Sequence, residues 1–304
     1  MKILVCVKQV PDTTEVKIDP VKGTLIREGV PSILNPDDAN ALEAALQLKD
    51  KDPEGTSVAV LTMGPPQATY MLRECLAMGA DEAYLLSDRV FGGADTCATS
   101  TTIAAGIRKV DELGKVDIIF AGRQAIDGDT AQVGPQIGQR LGVPVVTYVQ
   151  DYKVEGDKVI VQRQLEDGYE VIEVGMPCLL TAVKELNTPR YMSIGGIVDA
   201  YQKEITVWDH VAVDLDPADC GLKASPTRVF RSFTPPQKGK GEAFGPAGHP
   251  AQPGHKFAVP VAVKSAAFSS ASGVFACPGR FLRLSGRLPR FSAFLTTLFG
   301  SRSI

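Results

Sequence analysis

The stretch 117–141, DIIFAGRQAIDGDTAQVGPQIGQRL, runs from an apolar β-rich segment through one polar loop into a helical pattern. Residues 117–121 read as a buried strand. Val133, Ile137 and Leu141 fall four apart, on one face of a helix expected over 131–141. The same succession recurs upstream. Strands are expected at 2–8, 57–63, 82–87 and 145–148, and amphipathic helices at 39–48, 67–78 and 98–113. Strands that alternate with helices of about 10–15 residues predict an α/β fold with a doubly wound, mainly parallel sheet. Segments 16–18 and 24–27, joined around Lys22-Gly23, read as a small hairpin inserted after the first strand.

From Asp151 the texture changes. Segments 152–155, 158–164 and 169–174 alternate as short strands, with Gly156-Asp157 and Asp167-Gly168 as turn dipeptides. Residues 178–183 read as one more buried strand. A loop follows from Leu186 through Asn187, Thr188, Pro189 and Arg190 to Tyr191, then a short helix around 197–203 and a strand at 204–208. The Pro-bearing stretch 214–240 reads as an extended arm. The expected organisation is therefore 1–185 as an α/β domain with inserted hairpins, 186–242 as a loop and arm, and 243–304 as a separate tail.

The chain has 304 residues, 44% of them hydrophobic and 22% charged, a formal net charge of −3 and a mean hydropathy of +0.02. That is long enough to bury a real core. No run approaches the roughly 18 apolar residues of a membrane span, and no nucleic-acid partner is expected. Met1-Lys2-Ile3-Leu4-Val5 reads straight into a strand with no signal-peptide features, so a cytoplasmic location is expected. The six cysteines are scattered and the three histidines fall at 210, 249 and 255. Neither set has metal-ligand spacing, and no Ser/His/Asp order is present, so no metal site or catalytic triad is expected.

Charge marks a boundary. Residues 243–304 carry seven basic groups and no acidic one, whereas 1–242 carry 25 basic and 35 acidic groups. Eight of the twelve Phe also fall in this tail, without helical or strand periodicity. Two readings stand: a basic segment for an anionic partner, or residues from a shifted reading frame that were never selected to fold. Either way little regular structure is expected there.

The loop of the opening stretch is the densest constellation of chemistry. It leaves the carboxyl end of a buried strand, where ligands of open α/β sheets collect. It then opens a helix, whose free N–H groups and dipole suit a phosphate. Gly122, Gln124, Asp127, Gly128, Asp129, Thr130, Ala131, Gln132, Val133, Gly134 and Pro135 are its candidate ligand-binding residues. Gly128 is expected to take a left-handed turn or admit close backbone approach, and Asp129 or Thr130 to cap the helix. Asp127 and Gln132 suit ribose and base edges. The plainer reading is an Asp-Gly turn with a capped helix. Because two carboxylates repel a phosphate, main-chain amides and Thr130 should do the binding. Cys6 and Met63 close neighbouring strands, and Asn35, Pro36, Asp37 and Asp38 open a helix in which Asn35 or Asp37 is also a simple cap candidate. Gly92-Gly93-Ala94-Asp95-Thr96 partly matches a pyrophosphatase phosphate loop, but Phe91 stands where that loop needs Ser. Neither GxGxxG nor GxxxxGK[ST] occurs.

The segments KILVCVKQVPDTTEVKID, ILNPDDANALEAAL, LTMGPPQA, CLAMGADEAYLLSD, AGRQAIDGDTAQVGPQIGQRLGVP and ELNTPRYMSIGGI closely resemble, in order, the β subunit of electron transfer flavoproteins. The resemblance covers about residues 1–240. It implies a Rossmann-like, adenine-nucleotide-hydrolase-type sheet, pairing with a separate α subunit, and FAD-dependent electron passage between dehydrogenases of acyl-CoA type and an acceptor. It maps the nucleotide site onto Cys6, Asn35 to Asp38, Met63, Gln124 and Asp127 to Pro135.

In the simple carriers of the family that site holds AMP, and the loop reads closer to DDDxNQTGQ. DGDTAQVGP resembles the bifurcating class, in which a second FAD replaces AMP and takes hydride from NADH. One electron then goes to a high-potential acceptor and the other to ferredoxin or flavodoxin. The family's dehydrogenase-recognition loop corresponds to 188–197, which nominates Pro189, Arg190, Tyr191, Met192 and Ile194 as partner-binding. Its usual Leu-Pro-Asn is Ile194-Gly195-Gly196 here, and the family's C-terminal amphipathic helix is replaced by the unrelated tail.

Overall fold

Alternate residues of Lys2–Cys6 (β1) are buried on opposite faces of a sheet, Ile3 and Val5 on one and Leu4 and Cys6 on the other. A strand apolar on both sides needs helices above and below it. A computed structural model describes residues 1–12 and 31–229 and supplies both layers. After β1 come Gln9–Pro11 (β2) and Ser32–Leu34 (β3), an antiparallel pair. The predicted strands at 16–18 and 24–27 lie outside the described residues, as does everything from 230 on, including the tail.

The chain continues through Pro36–Lys51 (α1), Ser57–Met63 (β4), Thr69–Met78 (α2), Glu82–Leu86 (β5), Thr96–Leu113 (α3), Ile118–Gly122 (β6) and Val133–Leu141 (α4). Val145–Glu155 (β7), Lys158–Gln164 (β8), Tyr169–Gly175 (β9) and Cys178–Ala182 (β10) follow, then Ile194–Gln202 (α5), Ile205–Trp208 (β11) and Gly221–Ala224 (α6).

Among the described residues, nine strands form one sheet in the order β11-β5-β4-β1-β6-β10-β7-β8-β9. Every pair from β11 to β7 is parallel, and β8 and β9 are antiparallel additions. Helices α1, α2 and α5 cover one face and α3 and α4 the other. The doubly wound α/β sheet is as expected. Where two strands were expected at 145–148 and 152–155, one eleven-residue strand runs through. Its register shifts around Tyr148, which takes a left-handed φ of 57°. Up to Val149 it pairs in parallel with β10, and from Val149 on antiparallel with β8.

From β1 the chain winds outward to β4 and β5, then returns to lay β6 on the other side of β1. The carboxyl ends of β1 and β6 therefore flank the point where winding direction reverses, the crevice in which such sheets bind ligands.

Candidate functional site

Three segments converge on that crevice: the end of β1, the start of α1 and the loop 123–132 after β6. Asn35 occupies the N-cap position of α1, yet its side chain makes no capping bond. It reaches across the crevice instead. Its Nδ2 donates to the Gln124 carbonyl at 2.9 Å and its Oδ1 accepts from the Ile126 N–H at 3.1 Å. Pro36, next in line, has no N–H to satisfy at the first helical position.

Asp38 joins the two strand ends. Its Oδ2 accepts from the Lys8 N–H at 2.8 Å and its Oδ1 from the Gly122 N–H at 3.0 Å. Burial pushes its carboxyl up to about 7, against the opposing pull of Asn35 and these two amides. Burial also raises Asp37, and the Arg123 guanidinium offsets that only in part. Arg123 Nε lies 3.3 Å from Asp37 Oδ2, an ion-pair distance without an aligned hydrogen bond at either atom. Gly122 is glycine for lack of room: a Cβ there would fall 2.8 Å from the backbone of both Asp37 and Asp38. The Cys6 thiol, pushed up to about 12 by burial and by Asp38, stays protonated. Met63 is half-buried at the end of β4, beside β1.

The loop is exposed from Ile126 to Thr130. Lys8 Nζ meets Asp127 Oδ1 at 2.6 Å, and Gln124 Nε2 donates to Asp129 Oδ1 at 2.9 Å. Both carboxylates that would repel an anion are thus engaged by donors. Two sequence expectations are corrected here. The left-handed backbone belongs to Asp129 (φ 49°) and Ala131 (φ 51°), and not to Gly128; no described residue lies within 4 Å of a Cβ there, so the alternative of close backbone approach stands. Neither Asp129 nor Thr130 caps α4: the N-cap is Gln132, whose backbone is helical and whose side chain makes no capping bond. Gln132 Oε1 instead accepts from the Thr96 hydroxyl at 3.0 Å, at the first turn of α3.

Among the described residues, no hydrogen bond uses the N–H groups of Thr130, Ala131, Gln132, Val133 or Gly134. Left-handed residues in succession can turn such amides toward an anion, and these lie at a helix N-terminus, which also suits one. The Gly134 Cα, by contrast, is turned toward the sheet, where a Cβ would approach Thr181 Cγ2 at 2.7 Å. Val133 packs against the core layer of α3 and α4, and Pro135 is half-buried in the first turn.

The loop at 92–96 is packed under the arm. Asp95 caps α3 through the Ala98 N–H and accepts from Thr227, and the Leu222 N–H donates to the Gly92 carbonyl. In the segment after β10, Pro189 and Arg190 are half-buried, while Tyr191, Met192 and Ile194 are exposed. The helix there begins at Ile194, earlier than expected, because the Ser193 hydroxyl caps it at the Gly196 N–H. Sequence reasoning missed Lys8 and Arg123 as partners of Asp127 and Asp37. Their charge was visible, but the pairing spans about a third of the chain.

The electron transfer flavoprotein domain matches residues 22–213. The chain is 74% identical over 242 residues to the caffeyl-CoA reductase-Etf complex subunit CarD of Acetobacterium woodii, covering 80% of this chain and 91% of that one. It is 63% identical over 244 residues to the electron transfer flavoprotein subunit beta of Clostridium acetobutylicum, covering 80% and 92%. With Protein FixA of Azotobacter vinelandii it shares 46% identity over 244 residues, covering 79% and 86%.

Proposed function

This chain belongs to the electron transfer flavoprotein family as a β subunit, and from that premise we propose that the crevice between β1 and β6 holds the adenylate end of an FAD. The protein's role is electron transfer, in a complex with an α-type subunit and a dehydrogenase-type partner. The observation that carries the site is the run of unused N–H groups from Thr130 to Gly134. The residues fit a diphosphate. The amides and the Thr130 hydroxyl supply donors, Lys8 and Gln124 hold the two loop carboxylates, and Asn35 and Asp38 fix the loop to the strand ends.

When bound, flavin supplies reversible one- and two-electron chemistry. The chain's own contribution is to bind, orient and set the electrostatic surroundings, with no general acid or base. The DGDTAQVGP wording favours FAD over AMP here, with NADH as donor, ferredoxin or flavodoxin as one acceptor, and electron bifurcation as the activity. We assign 1–185 to nucleotide binding and 186–242 to partner recognition and the arm, with an acyl-CoA dehydrogenase-type protein as the partner.

The test is the nucleotide content of the heterodimer after denaturation. Two flavins per heterodimer, with bleaching by NADH, are expected. One flavin plus one AMP would remove bifurcation and keep the site. Gly128→Val, which has room in the fold and blocks approach to the loop, should lower the β-site nucleotide; unchanged content would refute the site.

A further inference from the structure

Arg190 is turned inward. Its Nε donates to Glu43 Oε2 at 2.7 Å, and its Nη2 donates to Glu43 Oε1 at 3.1 Å and to Asp50 Oδ2 at 2.6 Å. Its main-chain N–H adds a bond to Glu43 Oε2 at 3.2 Å. The Glu43 side chain is only 6% exposed; Gln47 Nε2 also donates to its Oε1 at 3.0 Å, but the guanidinium is its charged partner, and a carboxylate stripped of its counter-charge at that depth is destabilising. One step along the chain, Tyr191 is 97% exposed, and Ile194 is 85% exposed.

The segment is held at both ends. Beyond it, Arg73 of α2 donates to the carbonyls of Ala200 and Lys203, and Gly196 lies against the Ala77 carbonyl with no room for a Cβ. Before it, Asn187 and Asn40 exchange bonds, Asn187 Nδ2 donating to the Asn40 carbonyl at 2.9 Å and Asn40 Nδ2 to the Asn187 carbonyl at 2.7 Å. Of these holds, Arg190 stands nearest the exposed Tyr191 and is the one that pairs charge with opposite charge.

We propose that Arg190 is a positioning residue for electron transfer, whose grip on Glu43 and Asp50 of α1 sets the pose in which Tyr191, Ile194 and the exposed face of α5 meet a dehydrogenase. This rests on reading 188–197 as the docking segment. Arg190 then acts through its neighbours, not by touching the partner. Lysine is a poor substitute, since one ammonium cannot span the fork that serves two carboxylates.

The experiment uses the heterodimer with its α subunit and, as probe, a purified short-chain acyl-CoA dehydrogenase with its acyl-CoA. Arg190→Ala, Arg190→Lys and Glu43→Gln are compared with Ile194→Asp as a direct-contact control. Arg190→Ala should speed amide hydrogen exchange across 188–194 about tenfold. It should raise the KM for the dehydrogenase about fivefold while kcat and flavin content hold. Arg190→Lys should fall between, Glu43→Gln should follow Arg190→Ala, and Ile194→Asp should raise KM without changing exchange. The proposal is overturned if Arg190→Ala leaves exchange and KM at wild-type values while Ile194→Asp raises KM. Loss of flavin and kcat together would also overturn it, as general support of α1. If Ile194→Asp has no effect on KM, the docking reading itself fails.

Discussion

Gly122 ends β6 and Gly128 lies six residues on, in the loop that follows, and alanine should separate them sharply. At Gly122 the added Cβ would collide with the Asp38 carboxylate and stand 2.8 Å from the backbone of Asp37 and Asp38. A side chain tip could swing away, but backbone cannot, so the first turn of α1 must move. Overpacking of that kind costs about 1–3 kcal/mol. The displacement also lengthens the bond from the Gly122 N–H to Asp38 Oδ1, now 3.0 Å; above pH 7, where Asp38 is ionised, a hydrogen bond to a charged group contributes about 1.5–3 kcal/mol. Gly122→Ala should therefore destabilise the chain by about 3–5 kcal/mol. At a urea m-value of about 2 kcal/mol/M the midpoint falls by about 2 M. Among the described residues nothing lies within 4 Å of a Cβ at Gly128, whose backbone is not left-handed, so Gly128→Ala should change stability by less than about 1 kcal/mol, in the stabilising direction. Urea denaturation followed by far-ultraviolet circular dichroism measures both. A Gly122→Ala midpoint within about 0.5 M of wild type, or equal losses at the two positions, would refute the packing account of the crevice.

Asp38 gives a pH dependence. Its folded carboxyl titrates near 7 and its unfolded one near about 4, so between these values the folded state holds the extra proton. Stability should fall as pH rises from about 4 to about 7, by up to about 4 kcal/mol from this group. The difference between wild type and Asp38→Asn isolates it; a difference that does not change with pH would contradict the assignment. Lys8→Ala frees the Asp127 carboxylate to face the loop amides and should weaken β-site nucleotide binding about tenfold, with calorimetric titration of AMP or FAD as the measure. Equal affinity would argue that Asp127 points away when the site is filled. Truncation after Lys240 should leave α-subunit binding intact if the tail is not a functional segment, and co-purification decides it.

The sheet was legible because a strand buried on both faces leaves a bare apolar run, as at β1 and β6, and because helices with one apolar face separate such runs. The register shift within β7 was not. Tyr148 offers no turn chemistry, and its left-handed backbone sits where β7 passes from pairing with β10 to pairing with β8. The loop shows the same division. A strand-to-helix junction crowded with small and polar residues announces a site, but local rules assign the left-handed residue to Gly128 and the cap to Asp129 or Thr130. Long-range pairs override both. Asn35 bonds across 89 and 91 positions, and the Lys8–Asp127 pair spans 119. Arg190 looks like any exposed loop arginine until α1, 147 positions earlier, delivers Glu43 beneath it.

The N-termini of α3 and α4 meet through the Thr96–Gln132 bond, and the difference between them argues for which of the two takes an anion. Asp95 before α3 has extended backbone (φ −79°, ψ −174°), and its carboxylate accepts from Ala98. Gln132 before α4 has helical backbone (φ −105°, ψ −30°), from which a side chain cannot fold back to cap. That opening is maintained at a cost, since Asp129 and Ala131 both hold left-handed backbone that side chains disfavour by about 1–2 kcal/mol per residue. Alanine has no side-chain hydrogen bond to offset it, so Ala131→Gly isolates the strain. Relief in the folded state outweighs the added freedom of the unfolded chain only modestly, and the variant should be more stable by up to about 1 kcal/mol. The same substitution lets the loop relax, so the amides of Thr130 to Gly134 are no longer pre-aimed and nucleotide affinity should fall by about tenfold. A variant both more stable and weaker at binding is the signature of strain held for a ligand. If Ala131→Gly loses stability, or binds as tightly as wild type, the left-handed backbone is incidental and the open helix end does not explain the site.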